Sequence, residues 1–95
     1  MKITKIIANN LAKEFNINLK IVPFDEWLDG LNIELEHGKK VSKITNITND
    51  DVNLTARIVI SHLQEDPRYY KYLKAMEQKR EKYWATKNKP NIFNK

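Results

Sequence analysis

Apolar positions recur along this chain with a helical period in four separate stretches, so the pattern predicts four helices. In the first, over residues 4–15, Ile3, Ile7, Leu11 and Phe15 repeat every four residues and Ile6 broadens the stripe. Residues 16–22 alternate polar and apolar, which predicts an extended connector closed by Pro23. The second helix, over 24–37, places Phe24, Trp27, Leu28, Leu31 and Leu35 on one stripe. Asp25 and Glu26 stand in its first turn, where the helix dipole favours acids, and Gly38 follows as a stop. Gly30, Ile33 and His37 form a second stripe on the other side, which predicts a close crossing by another element at the glycine.

The third helix is expected over 49–64, with Thr48 as N-cap. Val52, Ala56, Val59, Ile60 and Leu63 share one arc that Leu54, Thr55 and Ile58 extend past half the circumference, so this helix is expected to be mostly buried, with His62 inside the buried arc. Asp66-Pro67 predicts the start of a fourth helix reaching about residue 85. Its expected inner face is Tyr69, Leu73, Met76 and Tyr83, flanked by Tyr72 and Trp84. The predicted fold class is therefore all-α: a compact four-helix domain over residues 1–85 with a basic tail over 86–95.

Composition narrows the chemistry. The 95 residues suit one domain, and 41% apolar with 31% charged residues is a globular profile. Cysteine is absent, which excludes disulfides, thiolate metal sites and Cys nucleophiles together. No signal-peptide pattern follows the first residues, and apolar runs such as Ile58-Val59-Ile60 are far shorter than the roughly 20 residues of a membrane span, so no membrane association is expected. The net charge of +5 is uneven: residues 67–95 carry nine Lys/Arg against two Glu, while residues 1–66 carry eight against ten Asp/Glu. That asymmetry points to an anionic partner for the C-terminal third.

Three blocks then resemble an uncharacterised domain-of-unknown-function family: Gly30-Leu31-Asn32-Ile33-Glu34-Leu35-Glu36-His37-Gly38, Thr45-Asn46-Ile47-Thr48-Asn49-Asp50-Asp51, and His62-Leu63-Gln64-Glu65-Asp66-Pro67-Arg68-Tyr69-Tyr70. The resemblance spans residues 24–77 and implies a bacteriophage, giant-virus or bacterial setting, and hence a cytoplasmic or virion location. It implies no activity.

The sharpest chemical constellation is Glu34 and His37 three apart on the second helix, with His62 and Glu65 three apart on the third. Each pair shares a helix face, and together they offer two imidazoles and two carboxylates, a set suited to zinc, iron or manganese. The competing expectation is a hydrogen-bonded His–Glu network without metal. Asp50 and Asp51 are explained by the helix N-terminus. With two glycines the chain has no phosphate loop, and neither Ser42 nor Ser61 has a nucleophile context, so no enzyme is expected.

The fourth helix and tail interleave cations with aromatics. Arg68, Lys71, Lys74, Lys79, Arg80, Lys82, Trp84, Lys87 and Lys89, with the apolar hook Ile92-Phe93, form the candidate surface for a partner. The expectation is a non-enzymatic interaction module that docks on a protein or viral assembly or another anionic partner. The alternatives are a small His/Glu metal-binding domain, and nucleotide or nucleic-acid binding through phosphate contacts and stacking.

Overall fold

The computed structural model describes residues 2–39 and 51–94, with the side chains of residues 37–39 outside that description. Four helices make up the described secondary structure: α1 (Lys5–Glu14), α2 (Phe24–Lys39), α3 (Val52–Glu65) and α4 (Tyr69–Trp84). Helices α1, α3 and α4 all pack on α2, and α3 also meets α4. The central element is thus α2, which buries Trp27, Leu31 and Leu35 toward the core and Glu26 and Gly30 on its second stripe. Among the described residues no helix is long and apolar enough to cross a membrane.

Helix α1 is capped by the Thr4 side chain, which accepts from the Ile7 amide at 3.3 Å. It ends with Asn16 in the left-handed region at φ 56°, while the Ile17 amide reaches the Ala12 carbonyl at 2.8 Å and the Asn16 amide reaches Lys13 at 3.2 Å. That is a Schellman closure with asparagine in the place usually held by glycine. The buried stripe is Ala8, Leu11 and Ala12; Ile7 is partly exposed and Ile6 is 75% exposed. The stripe is rotated from the expected one because α1 must come close to α2: the Trp27 indole N–H donates to the Ala8 carbonyl at 2.8 Å, and small residues at 8 and 12 permit that approach. Asn32 ties the preceding residue to α2, accepting from the Ile3 amide at 2.8 Å and donating to the Ile3 carbonyl at 3.1 Å.

The connector after α1 is not extended. The Ile21 and Val22 amides both donate to the Asn18 carbonyl, and the Asn18 side chain accepts from the Lys20 amide, so the segment closes into a turn. Val22 and, in part, Ile17 reach the core, while Ile21 is left 61% exposed. Helix α2 continues through Gly38 to Lys39 and does not stop before it.

Helix α3 starts later than expected. Asp51 is its N-cap, accepting from the Leu54 amide at 3.0 Å, and the Thr48 expected there lies outside the described residues. Thr55, Ala56, Val59 and Leu63 are buried, whereas Leu54, Arg57, Ser61 and Gln64 are exposed. The helix is therefore covered along one face by α2 and is not wrapped on all sides, because α1 packs on α2 and does not run along α3.

Asp66-Pro67 makes a turn and not the first turn of α4. The Asp66 carbonyl accepts from the Tyr69 amide at 2.9 Å, and its carboxylate accepts from the Arg68 amide at 2.9 Å. On α4, Tyr70 is fully buried and Tyr69 and Leu73 pack against the core. Met76 and Tyr83, expected on the inner face, are 52% and 42% exposed. The registry of the first turn explains this: docking Tyr70 into α2 turns the stripe of Tyr69 and Leu73 inward only near the start of the helix.

Candidate functional site

The polar centre of the molecule is built along one row of α2. Glu26, Gly30 and Glu34 are spaced by four residues, so they stack on one face about 6 Å apart. Tyr70 lies along that row. Its amide donates to Glu26 Oε2 at 2.9 Å, and its hydroxyl donates to Glu34 Oε2 at 2.9 Å. Its ring occupies the space that a side chain at position 30 would need: a Cβ there would stand 2.6 and 2.7 Å from two ring carbons and 3.1 Å from Val59 Cγ1. The close crossing expected at Gly30 is present, and the crossing element is a tyrosine ring.

Glu26 carries a second bond. Its Oε1 accepts from the Lys71 amide at 3.0 Å. The first turn of α4 has no side-chain cap of its own at Arg68, so a carboxylate from another helix accepts from the Tyr70 amide and from the Lys71 amide, the second shared with the Arg68 carbonyl at 3.1 Å. A nearly buried carboxylate is costly unless it is paired in this way. The arrangement joins α2 and α4 through groups that neither helix can satisfy alone.

His62 approaches the same centre from α3. Its Nε2 is 3.5 Å from Glu34 Oε2, the oxygen that also accepts from Tyr70. The imidazole stacks on Tyr69 with ring centroids 4.4 Å apart and meets Tyr70 edge-on at 6.2 Å. Its Nδ1 is buried without a hydrogen-bond partner among the described residues. The ring as a whole is 32% exposed, in contrast to the enclosed histidine expected from the sequence, because the tyrosines cover it from the α4 side only. Burial, then the Glu34 carboxylate beside it, holds the Tyr70 hydroxyl well above the usual phenol range. Tyr70 is thus a permanent donor to Glu34.

Of the four candidate metal ligands, Glu34 and His62 come together. Glu65 is exposed, and the side chain of His37 lies outside the described residues. Among the described residues no three His, Asp or Glu side chains converge on a point.

The candidate partner residues divide into two groups. Arg68, Lys71 and Lys74 border a cleft of about 540 Å³ whose opposite wall is Asp25, Glu26 and Asp29. Lys74 Nζ binds Asp29 at 2.6 Å across it, so these cations face acids of their own chain. Lys79, Arg80, Lys82, Lys87 and Lys89 belong to the other group, on the distal half of α4 and the tail, all exposed. There Arg80 lies 4.2 Å from the Tyr83 ring centre and 5.7 Å from that of Trp84, and Lys87 lies 3.9 Å from Tyr83. Met76, Glu77, Arg80, Glu81, Trp84 and Lys89 line an open groove of about 480 Å³. Ile92 and Phe93 are 82% and 62% exposed.

Sequence reasoning placed Glu26 only as an acid near a helix start and Tyr70 only at the end of the third block of the family resemblance. The signal that could have joined them is the four-residue ladder Glu26, Gly30, Glu34, a small residue between two acids on the second stripe of α2.

These features define a small all-α domain with a tyrosine-centred polar junction and a cationic, aromatic arm. The chain belongs to the family described as Protein of unknown function (DUF5661), which it matches over residues 8–79. That span takes in most of α1 and the whole Glu26–Gly30–Glu34–Tyr70 junction, and it ends within the distal half of α4. No curated protein and no solved structure matches the chain.

Proposed function

We propose that the protein is a non-catalytic docking module, in which the helical unit presents the distal half of α4 and the tail to an acidic surface on a protein partner. The carrying observation is the abrupt loss of cover along α4: every residue of the helix beyond Leu73 is exposed except the half-buried Trp84. Lys79, Arg80 and Lys82 on that segment, with Lys87 and Lys89 of the tail, supply attraction to an acidic surface, and Met76, Ile92 and Phe93 supply apolar contacts that a nucleic-acid backbone would not use. Tyr83 is already engaged by Arg80 and Lys87, which favours a protein over stacked bases. The phage-like setting suggested by the three sequence blocks accords with a small assembly component.

The test is a titration followed by Trp84 fluorescence, using a synthetic acidic amphipathic helix of Glu and Leu and, separately, a single-stranded oligonucleotide of equal charge. The peptide binds and the oligonucleotide binds more weakly. Deleting residues 86–95 leaves the melting temperature unchanged and abolishes peptide binding. Unfolding on that deletion, or tighter binding of the oligonucleotide, overturns the proposal.

A second reading, a His/Glu metal site, has one observation in its favour. Among the described residues His62 Nδ1 is buried without a partner while Nε2 stands near a carboxylate. Elemental analysis of the purified protein, with melting curves in zinc, iron and manganese, tests it. Absence of bound metal together with unchanged melting removes it.

A further inference from the structure

The cleft between the first turns of α2 and of α4 sets charges of opposite sign on opposite walls. Asp25, Glu26 and Asp29 form one wall and Arg68, Lys71 and Lys74 the other, around a volume of about 540 Å³. Small-molecule clefts run from roughly 300 to 1,000 Å³, so a ligand of several atoms has room here. One pair closes across the gap, Lys74 to Asp29 at 2.6 Å. Among the described residues Asp25, Arg68 and Lys71 make no ion pair. Lys71 Nζ instead lies 5.9 Å from the ring centre of Tyr72, its neighbour on α4.

Walls of opposite sign attract and would close if they could. Two contacts set their separation. The Tyr70 ring fills the slot over Gly30, which fixes how near α4 stands to α2. Glu26, which is buried, engages its carboxylate with the Tyr70 and Lys71 amides. The cleft is therefore formed before any ligand arrives, and binding needs no rearrangement of the two helices. Its charges select the ligand. A lone anion beside Arg68 and Lys71 faces Asp25 and Glu26, and a lone cation beside Asp25 faces Arg68 and Lys71. A molecule that carries both charges suits both walls.

We infer that this cleft binds a small zwitterion, with its carboxylate on Arg68 and Lys71 and its ammonium on Asp25. Free amino acids and short peptides carry that pair of charges. The Arg68 guanidinium offers planar paired donors that match a carboxylate. Asp29 and Lys74, one helical turn further along each wall, remain paired with each other. The site lies on the near half of α4, apart from the arm, and does not depend on the docking role proposed above.

Titrations of the full chain followed by its amide NMR signals test it. The probes are γ-aminobutyrate and glycylglycine, with butylamine and butyrate as the two halves at matched ionic strength. Both zwitterions should give saturable shifts in the millimolar range, confined to residues 25–29 and 68–74, that weaken with added salt. Neither half should saturate in that range. Asp25→Asn and Arg68→Gln change exposed side chains on opposite walls, and Asp25→Asn keeps an acceptor for the Glu26 amide, so each should retain the parent melting temperature. Each should weaken binding of both zwitterions about fivefold, the value of one exposed ion pair. No saturable shift with either zwitterion, equal binding of a half, shifts centred elsewhere, or parent affinity in both variants overturns the inference.

Discussion

The two halves of α4 share one helix and differ in almost everything else. The near half, from Tyr69 to Leu73, is fixed by Glu26 on its amides, by the slot over Gly30 and by Glu34 on the Tyr70 hydroxyl. Beyond Lys74, which reaches Asp29 of α2 at 2.6 Å, the far half makes no hydrogen bond or ion pair to another helix among the described residues and carries exposed cations packed on its own aromatics. Residues that continue the inward stripe of Tyr69 and Leu73, namely Met76, Arg80 and Trp84, run out past the edge of the body. The difference teaches that helix position is set at one end, and that the side chains beyond the anchor are free to serve something other than the fold.

Substitutions should therefore act very unequally along this helix. The largest effect is expected from Tyr70→Ala, which empties the slot and removes both hydroxyl and ring: a loss of about 3–5 kcal/mol, close to the whole stability of so small a domain, read by urea unfolding. Glu26→Ala strips the Tyr70 amide of its acceptor, leaves the Lys71 amide only its bond to the Arg68 carbonyl, and should cost about 1–3 kcal/mol in the same assay. A cost below that of an ordinary exposed cap would separate α4 position from Glu26 and break the comparison. Gly30→Ala gains about 1 kcal/mol of helix propensity but drives a Cβ into a buried ring, so a net loss of about 1–2 kcal/mol is expected; a gain would show that the ring can move aside.

Tyr70→Phe keeps the ring and loses the bond to Glu34, costing about 1 kcal/mol near neutral pH. Its pH dependence sharpens the point. An unfolded tyrosine ionises near pH 10, whereas folded Tyr70 holds its proton well above that, so unfolding releases a proton only in alkaline solution. The stability that Tyr70 adds over phenylalanine is intact below about pH 10 and is lost as pH rises beyond it, so the two chains should converge there in thermal melts. The smallest effects are expected on the far half: Met76→Ala and Tyr83→Ala should each change stability by less than about 0.5 kcal/mol. A larger loss at either would mean that the arm is part of the core.

Much of the architecture is legible in the sequence, because amphipathic periodicity and Pro or Asn punctuation act locally. The existence of four helices, the core roles of Trp27, Leu31 and Leu35, and the crossing at Gly30 all follow from spacing. What escapes is tertiary. The stripe on α1 is set by how closely Trp27 draws α2 to Ala8, and hydrophobicity alone ranks Ile7 above alanine. The start of α4 looks like an Asp66 cap because the true cap comes from Glu26, some 44 residues earlier in the chain. Helix α3 reads as the enclosed one because β-branched residues crowd it, whereas the enclosed helix is α2, whose polar second stripe conceals its burial. For the candidate site, spacing joined Glu34 and His62, and could not foresee that a tyrosine would come between their helices.

The Glu26 carboxylate has a kinetic consequence. The amide hydrogen of Tyr70 is held by a side chain on another helix, so it exchanges with deuterium when α4 lifts away from α2. Amides further along α4 are held within the helix and exchange whenever its end frays. One backbone proton thus times the separation of α2 from α4, apart from the loosening of the helix end.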